Sequence, residues 1–187
     1  MTKAIIEKLL QLTESNATIL AAIDGRCASG KTTLAAHLSE KLDCQVVHMD
    51  DFFLQPFQRS EKRLSQPGEN IDHERILSEV LLPLSNGKTA VYRPFDCQSG
   101  GFGEPKNISP GGVILFEGSY SCHPSLQKFY HLKIFLTISA DEQLKRLNLR
   151  NPERIEAFKS KWIPLEEKYF SRYNVESICD MVFKTDI

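Results

Sequence analysis

The stretch Gly25-Arg26-Cys27-Ala28-Ser29-Gly30-Lys31-Thr32 sets two glycines, a lysine and a threonine at the spacing G-x-x-x-x-G-K-[ST]. The glycines let a backbone curl tightly enough to aim several N–H groups at one point, which suits a phosphate anion. The lysine reaches the outer phosphates, and the hydroxyl after it is a hard oxygen ligand for Mg²⁺. Thr33 follows in the first turn of the helix that this motif should open, where the helix start adds partial positive charge. The nine residues are the expected cradle of a nucleotide triphosphate. ATP with Mg²⁺ is the expected occupant, with GTP left open as donor.

A magnesium-bound triphosphate calls for a second carboxylate beside the metal. Glu117 directly follows the wholly apolar run Val113 to Phe116 and precedes Gly118, which places it at the ligand end of a buried strand. His48-Met49-Asp50-Asp51-Phe52-Phe53 closes another strand. Phosphoryl transfer to an alcohol needs a base or orienting acceptor near the attacking oxygen, and either aspartate could serve; one of the two is expected to cap a helix starting near Phe52. Asp72 reads as a helix N-cap. Arg146 and Arg150 are spaced i, i+4, so they share a helix face where guanidinium groups could neutralise developing charge, or else pair with Asp141 and Glu142. His37, His48, His73, His123 and His131 are scattered without metal-ligand spacing and read as solvated or packed. Trp162, Ile163 and Leu165 are expected to anchor the last helix in the core.

These residues need a scaffold, and its elements alternate. An amphipathic first helix carries Ile5, Ile6, Leu9 and Leu10 and ends near Ser15 and Asn16. The apolar run Ala17 to Ile23 reads as a buried parallel strand, and from Lys31 the period changes to 3.6 with Leu34, Leu38 and Leu42 on one face. Further strands are expected at Gln45 to Met49, Thr89 to Arg93, Val113 to Phe116, Leu132 to Ile138 and Ile178 to Phe183. Helices are expected from Asp72, stopped by Pro83 and Asn86-Gly87, from Asp141 to Arg150, and from Glu153 to Tyr173 apart from Pro164. Gln55 to Asn70 reads as a long polar loop without structure of its own. The pattern implies an α/β fold with a doubly wound, mostly parallel sheet, whose ligands sit beyond the carboxyl ends of the strands.

Composition narrows the partners. A chain of 187 residues, 41% hydrophobic and 25% charged, has the apolar content for one ordinary domain. The formal net charge of −1 and the lack of long like-charge blocks argue against nucleic acid or an anionic membrane, and favour a small soluble acceptor. The N-terminus has no signal-peptide pattern and no run approaches membrane-spanning length. Five cysteines without any C-x-x-C pair fit reduced thiols and a cytoplasmic setting. The expectation is a single domain over residues 1–187, a homo-oligomer being left open.

Taken in order, the phosphate motif, Met49-Asp50-Asp51-Phe52-Phe53, Asn70-Ile71-Asp72-His73, Pro94-Phe95-Asp96 and Leu115-Phe116-Glu117-Gly118 resemble the uridine kinase and phosphoribulokinase group of P-loop kinases, over about residues 20 to 183. The resemblance implies the three-layer P-loop nucleoside triphosphate hydrolase fold, with a short lid at about 150–162. It implies an ATP-dependent kinase acting on a hydroxyl of a nucleoside or sugar-like acceptor. It puts the catalytic aspartate on Asp50, the Mg²⁺ residues on Thr32 and Glu117, a sugar-hydroxyl contact on Asp72, the first aromatic substrate contact on Phe95 and the phosphate-flanking arginines on Arg146 and Arg150. Uridine kinases typically have tyrosine where Phe95 stands. Kinases for pantothenate, nicotinamide riboside, a phosphorylated sugar or an antibiotic share this skeleton. A nucleotide-dependent regulatory module without a phosphorylated acceptor is the other class of reading.

Overall fold

The computed structural model describes residues 1–97 and 99–186. The helix α1 (Thr2–Thr13) leads into β1 (Thr18–Gly25), α2 (Lys31–Leu42) and β2 (Gln45–His48). After the short helices α3 (Glu61–Leu64), α4 (His73–Arg75) and α5 (Leu82–Ser85) come four short strands, β3 (Ala90–Tyr92), β4 (Phe95–Asp96), β5 (Gly101–Phe102) and β6 (Lys106–Ile108). The chain then forms β7 (Gly112–Glu117), β8 (Leu132–Thr137), α6 (Ala140–Arg150), α7 (Ile155–Ala157), α8 (Ile163–Tyr173), α9 (Val175–Ile178) and β9 (Met181–Lys184).

The central sheet is five-stranded, in the order β2-β7-β1-β8-β9, and every pairing in it is parallel. The continuous apolar run of β1 is what a strand covered on both faces requires. Its odd residues Ile19, Ala21 and Ile23 pack with Ile5 and Leu9 of α1 and with Leu34 and Leu38 of α2. Its even residues Leu20 and Ala22 pack against Ile76 and Val80 on one side and Tyr169 and Phe170 of α8 on the other. The period-2 strand and the period-3.6 helices thus close two cores, one on each face. Among the described residues no helix is long and apolar enough to cross a membrane.

Pro83 and Pro164 do not end their helices. Each follows directly on a π-helical segment, Ile76–Leu81 before Pro83 and Phe158–Trp162 before Pro164, and each occupies the first turn of the α-helical piece that follows. Proline lacks an N–H and crowds the carbonyl four residues back, and a wider turn just before it relieves both problems. The stretch from Gln55 to Asn70 is also not bare loop, since it holds a 3₁₀ turn at Pro56–Gln58 and α3. Trp162 is 40% exposed, with the Lys161 ammonium over its ring, and Ile163 and Leu165 are only half-buried. The last long helix is anchored instead by Tyr169 and Phe170, four and five residues past Leu165. Two antiparallel pairs, β3 with β6 and β4 with β5, come from a glycine-rich region whose strands are too short to show a period. The closing strand begins three residues later than its apolar pattern suggests, because Val175–Ile178 is helical.

Candidate functional site

The register brings the chemistry to one edge. In the sheet, Ile23 lies beside Glu117, Glu117 beside His48, and Gly25 beside Leu136, so the carboxyl ends of β1, β2, β7 and β8 form one rim. Gly25 has φ +133°, and a Cβ there would lie 2.0 Å from the Leu136 carbonyl oxygen. Only glycine lets the chain turn this close to β8, and the Arg26 N–H donates to that same oxygen at 3.1 Å. Gly30, at φ +94°, starts α2. The loop therefore ends at the N-terminus of a twelve-residue helix, with Thr32 and Thr33 in its first turn. The Lys31 ammonium arches back over the loop and donates to the carbonyls of Gly25 (2.7 Å) and Arg26 (3.0 Å).

Across the rim, the Thr32 hydroxyl donates to Glu117 Oε2 at 3.2 Å. His48 Nδ1 lies 2.6 Å from Glu117 Oε1, and that bond is the first reason the His48 ring is held above its ordinary pKa. A hydroxyl and a carboxylate facing each other are the hard-oxygen donors that suit Mg²⁺, with His48 orienting the carboxylate from behind. Gly118, at φ +137°, lets the chain after β7 pass so close to Met49 that a Cβ would meet its side chain at 2.7 Å. That close passage carries Glu117 up to the acids that follow β2.

Those two acids are in different situations. Both lie in a 3₁₀ turn, Met49–Phe52, that starts without a side-chain cap, so neither aspartate is the cap expected of one of them. Asp51 accepts from the Tyr92 hydroxyl (2.9 Å) and from Lys106 Nζ (2.8 Å), which ties the β3–β6 pair to this turn. The Asp50 carboxyl has no hydrogen-bond partner among the described residues. It is pushed above its usual range by desolvation and then by the charge of Glu117, with Lys31 and His48 opposing.

The Asp72 amide donates to the Phe52 carbonyl at 2.8 Å, which joins this turn to the start of α4. Asp72 Oδ1 caps that helix by accepting the Arg75 N–H at 3.2 Å, while Oδ2 is buried with no partner among the described residues. Half of the carboxylate thus does the capping, and the other half is enclosed without a partner among the described residues. Phe95 is buried and meets Phe102 edge-on, with ring centroids 5.4 Å apart. Arg146 pairs with Glu142 at 2.9 Å and donates to the carbonyls of Ala28 (3.3 Å) and Thr185 (2.6 Å), so it touches the loop at Ala28. Arg150, one turn on, is exposed and among the described residues donates only to its neighbour Asn151.

Three further acids hold the loop. Asp24 continues the even-numbered face of β1 and is fully buried. It accepts from the amides of Gly25 (2.7 Å), Tyr120 (3.2 Å) and Cys122 (2.9 Å) and from the Tyr169 hydroxyl (2.8 Å). One carboxylate thereby joins the phosphate loop, the turn after β7 and α8. Burial outweighs these four donors and pushes its pKa up to about 6. From α8, Glu166 accepts from the Cys27 amide (2.9 Å) and the Ser119 hydroxyl (2.5 Å), while Glu167 pairs in a fork with Arg26 at 2.6 and 2.9 Å. Asp24 was visible as a lone charge ending an apolar strand. Nothing local marks Glu166 and Glu167, whose partners lie about 140 positions away.

This α/β fold is shared with solved structures described as kinases. No protein-family profile and no curated protein matches the sequence. Among solved structures, a possible uridine kinase from Bacillus stearothermophilus superposes with a TM-score of 0.70 at 19% identity, over 97% of this chain and 98% of that one. A protein proposed to be a fructose transport system kinase, from a Silicibacter species, gives 0.74 at 19% identity, over 98% of both chains. D-glycerate 3-kinase from Cryptococcus neoformans gives 0.58 at 15% identity, over 89% of this chain and 86% of that one. At these identities the likeness is one of fold.

Proposed function

We propose that this chain is a kinase that transfers the γ-phosphoryl group of ATP, with Mg²⁺, to a hydroxyl of a small sugar-like acceptor such as a nucleoside. The observation that carries the reading is the division of labour between neighbouring acids: Asp51 is committed to Tyr92 and Lys106, while Asp50 faces Glu117 and Lys31 with no bond of its own. Asp50 is exposed at the rim, where a general base would be free to accept a proton.

In this reading the loop amides from Gly25 to Thr32 and the Lys31 ammonium hold the phosphates, the ammonium exchanging its two carbonyl partners for phosphate oxygens. Thr32 and Glu117 would hold Mg²⁺, which when bound neutralises charge on the phosphate oxygens. Asp72 Oδ2 accepts a second hydroxyl of the acceptor, and Phe95 forms part of the acceptor wall. Asp50 takes the proton of the attacking hydroxyl as that oxygen bonds to the γ-phosphorus and the bond to the β-phosphate oxygen breaks, leaving ADP. Arg146 and Arg150 meet the developing charge from α6.

The test is Asp50→Asn with a panel of nucleosides, nicotinamide riboside, pantothenate, phosphorylated sugars and antibiotic alcohols, read by mass spectrometry for a gain of one phosphoryl group. The variant should bind ATP normally and transfer on the order of 10²-fold to 10⁴-fold more slowly. Unimpaired transfer removes Asp50 from the role. A wild-type chain that releases ADP while no acceptor gains mass leaves the regulatory module as the reading.

A further inference from the structure

A second cluster of ligating side chains lies beside Asp72. Glu69 is supplied by the segment before α4, His73 by the first residue of α4, and His123 by the turn after β7. His73 Nε2 lies 3.1 Å from both Glu69 oxygens, and His123 Nε2 lies 3.7 Å from Glu69 Oε1. The two imidazoles stack at 4.2 Å between centroids and 14° between planes. One ligand atom from each of the three residues falls within 4.8 Å of the others. Gly68 makes the approach feasible: at φ +82°, a Cβ there would meet His123 Cδ2 and Tyr169 Cδ2, each at 2.9 Å.

We propose that Glu69, His73 and His123 form a site for a divalent transition ion of the Zn²⁺ type. His123 is 5% exposed, and its Nε2 is buried with no hydrogen-bond partner, aimed at a carboxylate just beyond hydrogen-bond reach. Such an orphan is costly as a donor or acceptor and useful as a ligand. Ser125 supplies the outer contacts: its hydroxyl lies 2.8 Å from His123 Nδ1 and 3.3 Å from His73 Nδ1. Ser125 thus holds both rings through Nδ1, its backbone N–H also reaching His123 Nδ1 at 3.3 Å, and a metal binding at Nε2 would displace the proton there.

Charge and donor type select the ion. Glu69, Glu74 and Asp72 surround the single guanidinium of Arg63, leaving an excess of negative charge. Two imidazole nitrogens and one carboxylate oxygen suit zinc, cobalt or nickel rather than Mg²⁺. Tetrahedral zinc places its ligand atoms about 3.3 Å apart, between the two Glu69 distances, and binding asks the stacked rings to splay until both lone pairs point at one centre. Because Glu69 and His73 bracket Asp72, an ion here pins that residue to the turn after β7. The site stands on its own residues and does not depend on the kinase reading.

The test uses the full chain stripped with chelator and titrated with Zn²⁺ by calorimetry, and with Co²⁺ by visible absorption, in millimolar Mg²⁺ to occupy oxygen sites. One equivalent should bind at micromolar concentration or tighter, and the melting midpoint should rise by about 5 °C at saturation. His73→Gln and Glu69→Gln should each weaken binding at least tenfold, whereas Cys179→Ser, which breaks up the Cys122–Cys179 thiol pair, should not. If His73→Gln does not fold, Glu69→Gln decides. Absence of binding by the wild-type chain, unchanged affinity in Glu69→Gln, or loss of binding in Cys179→Ser overturns the assignment.

Discussion

Asp24→Asn offers a test of the electrostatics beneath the phosphate loop. The folded chain raises this carboxyl from 3.8 to about 6, because complete burial outweighs its four donors. A native pKa above the unfolded value means that the folded state keeps a proton the unfolded state has already lost. The stabilisation from this group is therefore complete below about pH 4 and is lost as pH rises through about 6. At 1.36 kcal/mol per pKa unit, the displacement is worth roughly 3 kcal/mol. The amide in Asp24→Asn does not titrate. It introduces an offset, since its NH₂ must face at least one of the donors that now meet an oxygen, but that offset is independent of pH. Urea denaturation of both proteins between about pH 4 and pH 7.5, at constant m, should show the wild type losing roughly 2.5 kcal/mol relative to the variant. A difference that stays flat, or one that moves towards the wild type as pH rises, would refute the claim that burial dominates at this carboxylate.

Gly25→Ala puts a Cβ 2.0 Å from the Leu136 carbonyl oxygen at a φ that side chains rarely adopt, so it should cost on the order of 3 kcal/mol or prevent folding. Thermal melting reads this directly, and an unchanged midpoint would show that β1 and β8 are not so close. Arg146 and Arg150 should separate in kinetics. Arg146→Ala, which loses the contacts to Ala28 and Thr185, should weaken ATP binding up to about tenfold. Arg150→Ala should leave the Kd within about twofold and lower kcat by on the order of tenfold or more. Equal effects on binding would show that Arg150 also supports the resting loop.

The phosphate loop, Glu117 and the acids after β2 could be read from the sequence because each is local: a fixed spacing, or a charge ending an apolar run. The parallel sheet was legible for the same reason, since strands buried on both faces need no partner in sequence to announce themselves. What was hidden depends on distance along the chain. The ties of Asp51 to Tyr92 and Lys106 come from 41 and 55 positions away, so nothing local distinguished it from Asp50. His73 and His123 are fifty positions apart, so no spacing rule pairs them. Pro83 misled because the rule that proline ends a helix presumes α geometry in the preceding turn, and here that turn is π.

The paired grip of α8 on the phosphate loop has a mechanical consequence. Glu166 and Glu167 are adjacent, so they leave the helix about 100° apart and hold Cys27 and Arg26 as two separate anchors. A rod fixed at two points of its circumference cannot roll without releasing one of them. Residues 155–173 nevertheless run as one continuous rod from α7 through the π turn into α8. Movement of its outer end therefore cannot be taken up by rotation at the loop. Any bending of the rod would concentrate at Phe158–Trp162, where the turn is π rather than α.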